Sequence, residues 1–195
     1  MAKKSQRVGQ QLENMIDATN ANYLLKGLAL MVRQHEEVKT RGYRDKETNQ
    51  KVITNAYHKG KGGLDYAGVV NGRYVSFDAK SAADRLVFSA IAPHQVRLMK
   101  NIERMGGDAF ILTYIRSANA VYLVPAAYLV PLYEEWEAHQ ELNKATGKNT
   151  RYEGGASLNV TNLNDNAFVV LPSLIGSVDW LPAYKKMIQT RMAGV

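Results

Sequence analysis

The sequence predicts a mixed α/β fold. Segments with apolar residues at helical spacing are interspersed with short runs of β-branched and aromatic residues. One pair of those runs is joined by Asn71-Gly72, the dipeptide that most favours a tight hairpin. At 195 residues, 46% of them hydrophobic, the chain is long enough for one domain, expected over residues 1–195, with a core that needs no covalent staples.

Residues 6–26 read as a helix, because Val8, Leu12, Met15, Ile16, Thr19 and Tyr23 recur at helical spacing. Residues 28–33 are apolar and suit a short strand. Residues 34–61 are polar and basic, too long for a structureless connection in a compact domain, and so mark a functional insertion with strand character at 51–57. Tyr66–Val70 and Arg73–Ala79 are the arms of a hairpin, since Asn and Gly tolerate the positive φ that a type I′ turn needs at both central positions. Pro93 suits the first turn of a helix that runs to about Met105 and stops at Gly106-Gly107. Strands are expected near 109–115 and 120–124, then a helix over 126–143. Residues 147–166, rich in Gly, Asn and Thr, read as a loop. Ala167–Leu171 suits a strand, and Asp179 is placed to cap a last helix reaching about Met192.

Composition narrows the partners. A net charge of +7 attracts polyanions, of which DNA is the commonest. Lys39, Arg41, Arg44, Lys46, Lys51, Lys59 and Lys61 crowd into the insertion, and Lys3, Lys4 and Arg7 open the chain. The ordinary reading of such a run is a solvated loop; the functional one is phosphate contact. Cysteine is absent, which excludes disulfides and thiolate zinc sites and fits a reducing compartment. No run of 18 apolar residues occurs, and no apolar stretch follows the basic start, so a cytoplasmic protein without membrane contact is expected. The four histidines lack zinc spacing, and no P-loop or G-x-S-x-G motif is present.

Chemistry concentrates in the hairpin. If Val70 pairs with Arg73, paired positions sum to 143 and Asp65 falls opposite Asp78. Facing residues share one side of a sheet with Cβ atoms roughly 5 Å apart, and Lys80, two positions on, joins them. Phe77 and Ala79 point the other way. Two facing carboxylates repel unless something offsets the charge. A divalent cation does so, and Mg²⁺ prefers one or two carboxylates, waters and a phosphate oxygen. Lys80 is then placed to orient water or to stabilise charge on phosphate. As an isolated D…DxK pattern, the alternative of a turn-capping Asp65 and solvated Asp78 and Lys80 stands on equal terms. Glu13 lies one residue off the first helix's apolar stripe and by itself reads as an exposed helix glutamate. His94 and Gln95 open the helix after the hairpin and by themselves read as its polar start.

Several motifs, in order, resemble one family. The stretch Gly62-Gly63-Leu64-Asp65-Tyr66-Ala67-Gly68 through Gly72-Arg73-Tyr74-Val75-Ser76-Phe77-Asp78-Ala79-Lys80 is similar to the RecU family of Holliday-junction resolvases, which reads roughly T-D-Y-N-G…K-G-x-Y-I-x-F-E-A-K there. Gly9-Gln10-Gln11-Leu12-Glu13, Thr19-Asn20 and Tyr23-Leu24 resemble that family's first helix. His94-Gln95-Val96-Arg97-Leu98-Met99-Lys100 resembles its H-Q-I…M-K helix, and Val178-Asp179-Trp180 its closing segment.

The resemblance implies a PD-(D/E)xK nuclease core with a protruding stalk at about 34–61, acting as a homodimer on branched DNA in recombination and repair. It implies Asp65, Asp78 and Glu13 as ligands of Mg²⁺, or of Mn²⁺, with Lys80 as catalytic lysine and Gln95 as a further site residue. The basic run would contact phosphates at the branch point. Asp78 stands where the family usually has Glu, one methylene longer, and Leu64 replaces a polar residue before the first Asp. The tract 147–166 has no counterpart in the pattern. Two other readings remain open on sequence: a related nuclease with a different DNA substrate, and a non-catalytic junction-binding protein on a nuclease scaffold. The bacterial cell or a phage-infected one is the expected setting, with recombination partners unspecified.

Overall fold

A computed structural model of the chain describes residues 2–34, 38–58, 62–170 and 178–193. In chain order the elements are α1 (Ala2–Leu25), β1 (Leu30–Arg33), β2 (Val38–Arg44), β3 (Lys51–His58), β4 (Tyr66–Val70), β5 (Arg73–Ala82), β6 (Arg85–Val87), α2 (Pro93–Arg104), β7 (Asp108–Ile115), β8 (Ala120–Pro125), α3 (Ala126–Thr146), β9 (Ser157–Asn159), α4 (Val160–Asn166), β10 (Phe168–Val170) and α5 (Leu181–Ala193). A 3₁₀ turn, Phe88–Ala90, precedes α2. The class is mixed α/β, as the sequence predicts. No helix among the described residues is long and apolar enough to cross a membrane.

Six strands form the central sheet in the order β1-β4-β5-β7-β8-β10. The β4–β5 hairpin pairs Val70 with Arg73 and Tyr66 with Phe77, the register expected from its turn. Asn71 and Gly72 take positive φ of 48° and 77°. β5 then runs parallel to β7, which forces the chain to cross over through α2. Gly68 lets β1 approach β4 closely, since a Cβ there would lie 1.9 Å from the Leu30 carbonyl oxygen.

Each sheet face carries its own core. On one face Leu12, Ile16 and Tyr23 of α1 and Leu181, Tyr184 and Met187 of α5 pack on Val75, Phe77, Phe110 and Leu112. Tyr66, Phe77 and Phe110 stack across three strands, with centroids 4.9 Å apart at each step. On the other face Val96, Met99 and Ile102 of α2 and Leu129 and Tyr133 of α3 pack on Ala109, Ile111 and Val124. The strict alternation along β5 and β7 separates these layers.

The described part of the insertion is a two-stranded antiparallel hairpin, β2 with β3; β3 covers the strand expected at 51–57, and the register shifts at Arg41/Gly42. Other expectations are corrected. The tract 147–166 holds structure: β9 pairs with β6, a strand the sequence did not suggest, and α4 follows. Its N-terminus is closed by Asn159, whose side chain accepts from Asn162 N–H. Met15 stays exposed while Asn20 is buried, and it accepts from the Trp180 indole at 3.0 Å. Asp179 does not cap α5. The Tyr23 hydroxyl accepts the Leu181 N–H at 3.0 Å and donates to Asp179. Burial and that carboxylate push the Tyr23 phenol up. Leu171, expected to end the last strand, lies outside the described residues.

The start of β7 is fixed by a buried carboxylate. Asp108 is fully buried and accepts from Arg73 Nε at 2.7 Å, Tyr184 hydroxyl at 2.8 Å and Arg191 Nη1 at 2.9 Å. Burial alone would raise its pKa, but the hydrogen bonds and charges of Arg73, Tyr184 and Arg191 hold it below the usual carboxylate value. The group therefore stabilises the fold above its unfolded pKa and stops doing so as pH falls through the folded one. Replacing Asp108 with Ala leaves two guanidinium groups without their shared partner and is expected to cost about 3–5 kcal/mol in chemical denaturation at pH 7. A loss under 1 kcal/mol would contradict that assignment.

Candidate active site

The hairpin register, extended one residue past Tyr66↔Phe77, sets Asp65 opposite Asp78. Asp78 is paired with Ile111 of β7 and so faces the α2–α3 layer, where it is fully buried. Asp65 ends the approach to β4 and its Oδ2 accepts the Ala79 N–H at 2.8 Å. Lys80 shares the face, and its Nζ lies 2.6 Å from Asp78 Oδ2. Gln95 in the first turn of α2 completes the group, donating from Nε2 to Asp78 Oδ1 at 2.7 Å. Its own Oε1 accepts the Ala92 N–H at 3.1 Å, the returning half of a capping box.

The electrostatics of Asp78 are unusual for a strand residue. Burial is the largest influence and raises its pKa, the Lys80 charge lowers it, and the Asp65 carboxylate raises it again, leaving it at about 7. Oδ2 meets Lys80 as a charge contact but accepts no well-directed hydrogen bond. A buried carboxylate oxygen without directed donors, beside a second carboxylate, is a hard-oxygen donor set. It fits a hard divalent cation. Beside it lies a cleft of about 280 Å³ lined in part by Gln34, Asp65, Lys80, His94 and Gln95, with Asp78 buried behind that lining. At about 30 Å³ per water that is room for a hydrated ion and a phosphate group.

Glu13 is placed differently. It lies on α1, which packs on the opposite sheet face, and its carboxylate pairs with Arg33. Asp17 takes a second hydrogen bond from Arg33 at 3.1 Å and one from the Tyr66 hydroxyl at 2.8 Å. Among the described residues no group of three or more His, Asp or Glu side chains is arranged to hold a metal. The structure thus joins Asp65, Asp78, Lys80 and Gln95, and engages Glu13 with Arg33. Sequence reasoning missed Arg33 and Gln34, whose backbone N–H donates to the Asp65 carbonyl at 2.7 Å. Neither sits in a motif, so only the fold reveals them.

The basic run lies along the β2–β3 hairpin. Arg41, Arg44, Lys46 and Lys51 are exposed, and Lys46 is in the turn. Arg44 donates to the Asn49 carbonyl at 3.3 Å, and Asp45 organises the turn through the Glu47 and Thr48 N–H groups. Lys39 belongs to β2 by its backbone; its side chain, and residues Lys59 and Lys61, lie outside what the structure describes.

Comparison with known proteins places the chain. The family model described as "Recombination protein U" matches residues 7–186. The chain belongs to the RecU family. It is similar to the Holliday junction resolvase RecU of Lactococcus lactis subsp. lactis, 26% identical over 94% of this chain and 79% of that one. The protein of the same description from Leuconostoc mesenteroides is 30% identical over 93% and 82%. That from Oenococcus oeni is 26% identical over 95% and 90%. Among solved structures, Archaeoglobus fulgidus Hjc, a Holliday junction resolvase, is 10% identical with a TM-score of 0.40, covering 76% of this chain and 89% of that one.

The raised pKa of Asp78 has a stability consequence. A carboxyl whose folded pKa lies above its unfolded one binds more protons in the native state, so stability falls as pH rises from about 4 to about 7. Asp78→Asn keeps an acceptor for Gln95 and removes the charge. Without divalent cations it is expected to melt about 3–6 °C above the wild type at pH 8. The gap should close by about pH 4. A wild type more stable than the variant at pH 8 would overturn this account of the site.

Proposed function

We propose that the chain is a structure-selective endonuclease that resolves four-way DNA junctions by hydrolysing phosphodiester bonds, a single nuclease domain with the β2–β3 hairpin as its stalk. The observation that carries this reading is the Asp65–Asp78 pair with Lys80 on one sheet face, in a chain of the RecU family. Its relatives are named as Holliday junction resolvases.

Asp65 and Asp78 would hold Mg²⁺, or Mn²⁺; for Glu13 to join as a further acid of the site, its carboxylate would have to leave Arg33. When bound, such an ion polarises a phosphodiester and lowers the pKa of an attacking water. The protein's own part is positional and electrostatic. Gln95 keeps Asp78 Oδ1 occupied, and Oδ2 is turned toward Lys80. Lys80 brings a cationic donor to the same side, within reach of a phosphate oxygen on which charge develops. Its contact with Asp78 orients the ammonium without burying it completely.

Selection of a branch requires recognition of shape and backbone charge more than of base edges. Arg41, Arg44, Lys46 and Lys51 on the stalk, with Lys39, Lys59 and Lys61, supply the phosphate contacts. A homodimer would present two such sites related by the two-fold symmetry that a four-way junction shares. One sheet edge offers a surface for it: Leu30, Val69 and Tyr74 are adjacent across β1, β4 and β5, on one face, and exposed. The cytoplasm is the setting this activity implies.

The test is cleavage of a mobile four-way junction in Mg²⁺ against linear duplex. Paired, symmetric nicks in the junction alone, lost in Asp78→Asn, are expected. Tight junction binding with no cleavage in Mg²⁺ or Mn²⁺ would replace this reading with a non-catalytic junction binder. For the stalk, Arg44→Ala with Lys46→Ala should reduce the slope of log affinity against log salt by roughly 1–2. An unchanged slope would remove the stalk from the DNA interface.

A further inference from the structure

The peptide group between Ile91 and Ala92 is held at both ends. Its carbonyl accepts the Tyr133 hydroxyl at 3.2 Å. Its N–H donates to Gln95 Oε1 at 3.1 Å, and Gln95 Nε2 donates to Asp78 Oδ1 at 2.7 Å. Three hydrogen bonds therefore run head to tail from α3, through one peptide and one side-chain amide, to the buried carboxylate. We propose that Tyr133 is a positioning residue for the nuclease centre, acting through this relay to fix the Gln95 amide with its nitrogen toward Asp78.

The orientation matters because a glutamine amide presents either an oxygen or a nitrogen. The wrong face toward Asp78 would set two acceptor oxygens together and leave Asp78 Oδ1 without a donor in a buried place. Head-to-tail bonds polarise one another, so each strengthens the next. The strap that carries the peptide is itself pinned. Phe88 N–H donates to the Ala156 carbonyl at 2.9 Å, and Ile91 N–H to the Phe88 carbonyl at 2.9 Å. Phe88, Tyr133 and Trp136 form an aromatic triad with centroids 5.2–6.0 Å apart. Tyr133 is 1% exposed, and burial raises its phenol, which keeps it a donor at any working pH. The tract 147–166 thereby acquires a structural role, because β9 and Ala156 brace the strap that aligns Gln95.

The inference rests on the nuclease reading of the Asp65–Asp78 pair, and its test separates the two. Tyr133→Phe keeps the ring and deletes the hydroxyl. Tyr122→Phe is the control, since its hydroxyl bonds Asn164 at 3.0 Å, outside the relay. In ¹⁵N-labelled full chain, Tyr133→Phe should speed hydrogen exchange of the Gln95 side-chain amide about tenfold or more and shift the Ala92 amide upfield. It should lower kcat on the four-way junction about five- to thirty-fold, with KM within about twofold. Tyr122→Phe should do neither. Unchanged Gln95 and Ala92 signals in Tyr133→Phe, or an equal loss of kcat in Tyr122→Phe, would overturn the proposal. A wild type that cuts no DNA would overturn the nuclease reading and the predicted loss of kcat with it, while the Gln95 and Ala92 signals still decide the relay.

Discussion

Asp78 is a carboxylate withdrawn from water and set beside a second carboxylate. On its own that arrangement opposes folding, because desolvation and like charge both disfavour the ionised form. The surrounding structure compensates only in part. Lys80 supplies one positive charge, and Gln95 one directed hydrogen bond. The second oxygen meets the Lys80 ammonium but no well-directed donor. The hairpin turn sets the register, the crossover through α2 brings Gln95 over the strand, and the strap before α2 fixes that amide. Each serves to hold this carboxylate where its charge is least comfortable, which is how binding centres commonly differ from the rest of a fold.

The same strands carry a second buried carboxylate with the opposite logic. Asp108, near the other end of the β5–β7 pair, receives donors from two arginines and a tyrosine, and is held ionised. It ties α5 to the start of β7. Arg191 also reaches Glu103 at the end of α2 at 2.8 Å. So α2 is tied at its C-terminus to the network around Asp108 and presents its N-terminus to the Asp65–Asp78 pair. Rigid support beneath a strained site is what precise placement of charged groups demands.

What the sequence disclosed and what it hid follow from range. The β4–β5 register was legible because Asn71-Gly72 fixes it locally, and the shared face of Asp65, Asp78 and Lys80 follows from strand alternation. The boundaries of α2, with Pro93 and Gly106, were legible for the same reason. β6 and β9 are three residues each and pair across some 70 positions of chain, so neither carries a local signal. The role expected of Asp179 went to Tyr23, more than 150 residues away. Gln95 was visible through the family resemblance, but its partners Ala92 and Asp78 were not. Glu13 was legible as a residue of the first helix and by itself read as exposed, whereas its ion pair with Arg33 required the β1 edge.

Whether the Asp65–Asp78 pair holds a divalent cation decides the proposed function. Mn²⁺ titrated into the DNA-free chain, followed by electron paramagnetic resonance, tests it most directly. The account predicts one site per chain in the wild type, lost or weakened at least tenfold in both Asp65→Asn and Asp78→Asn. Equal Mn²⁺ binding in all three chains would contradict it.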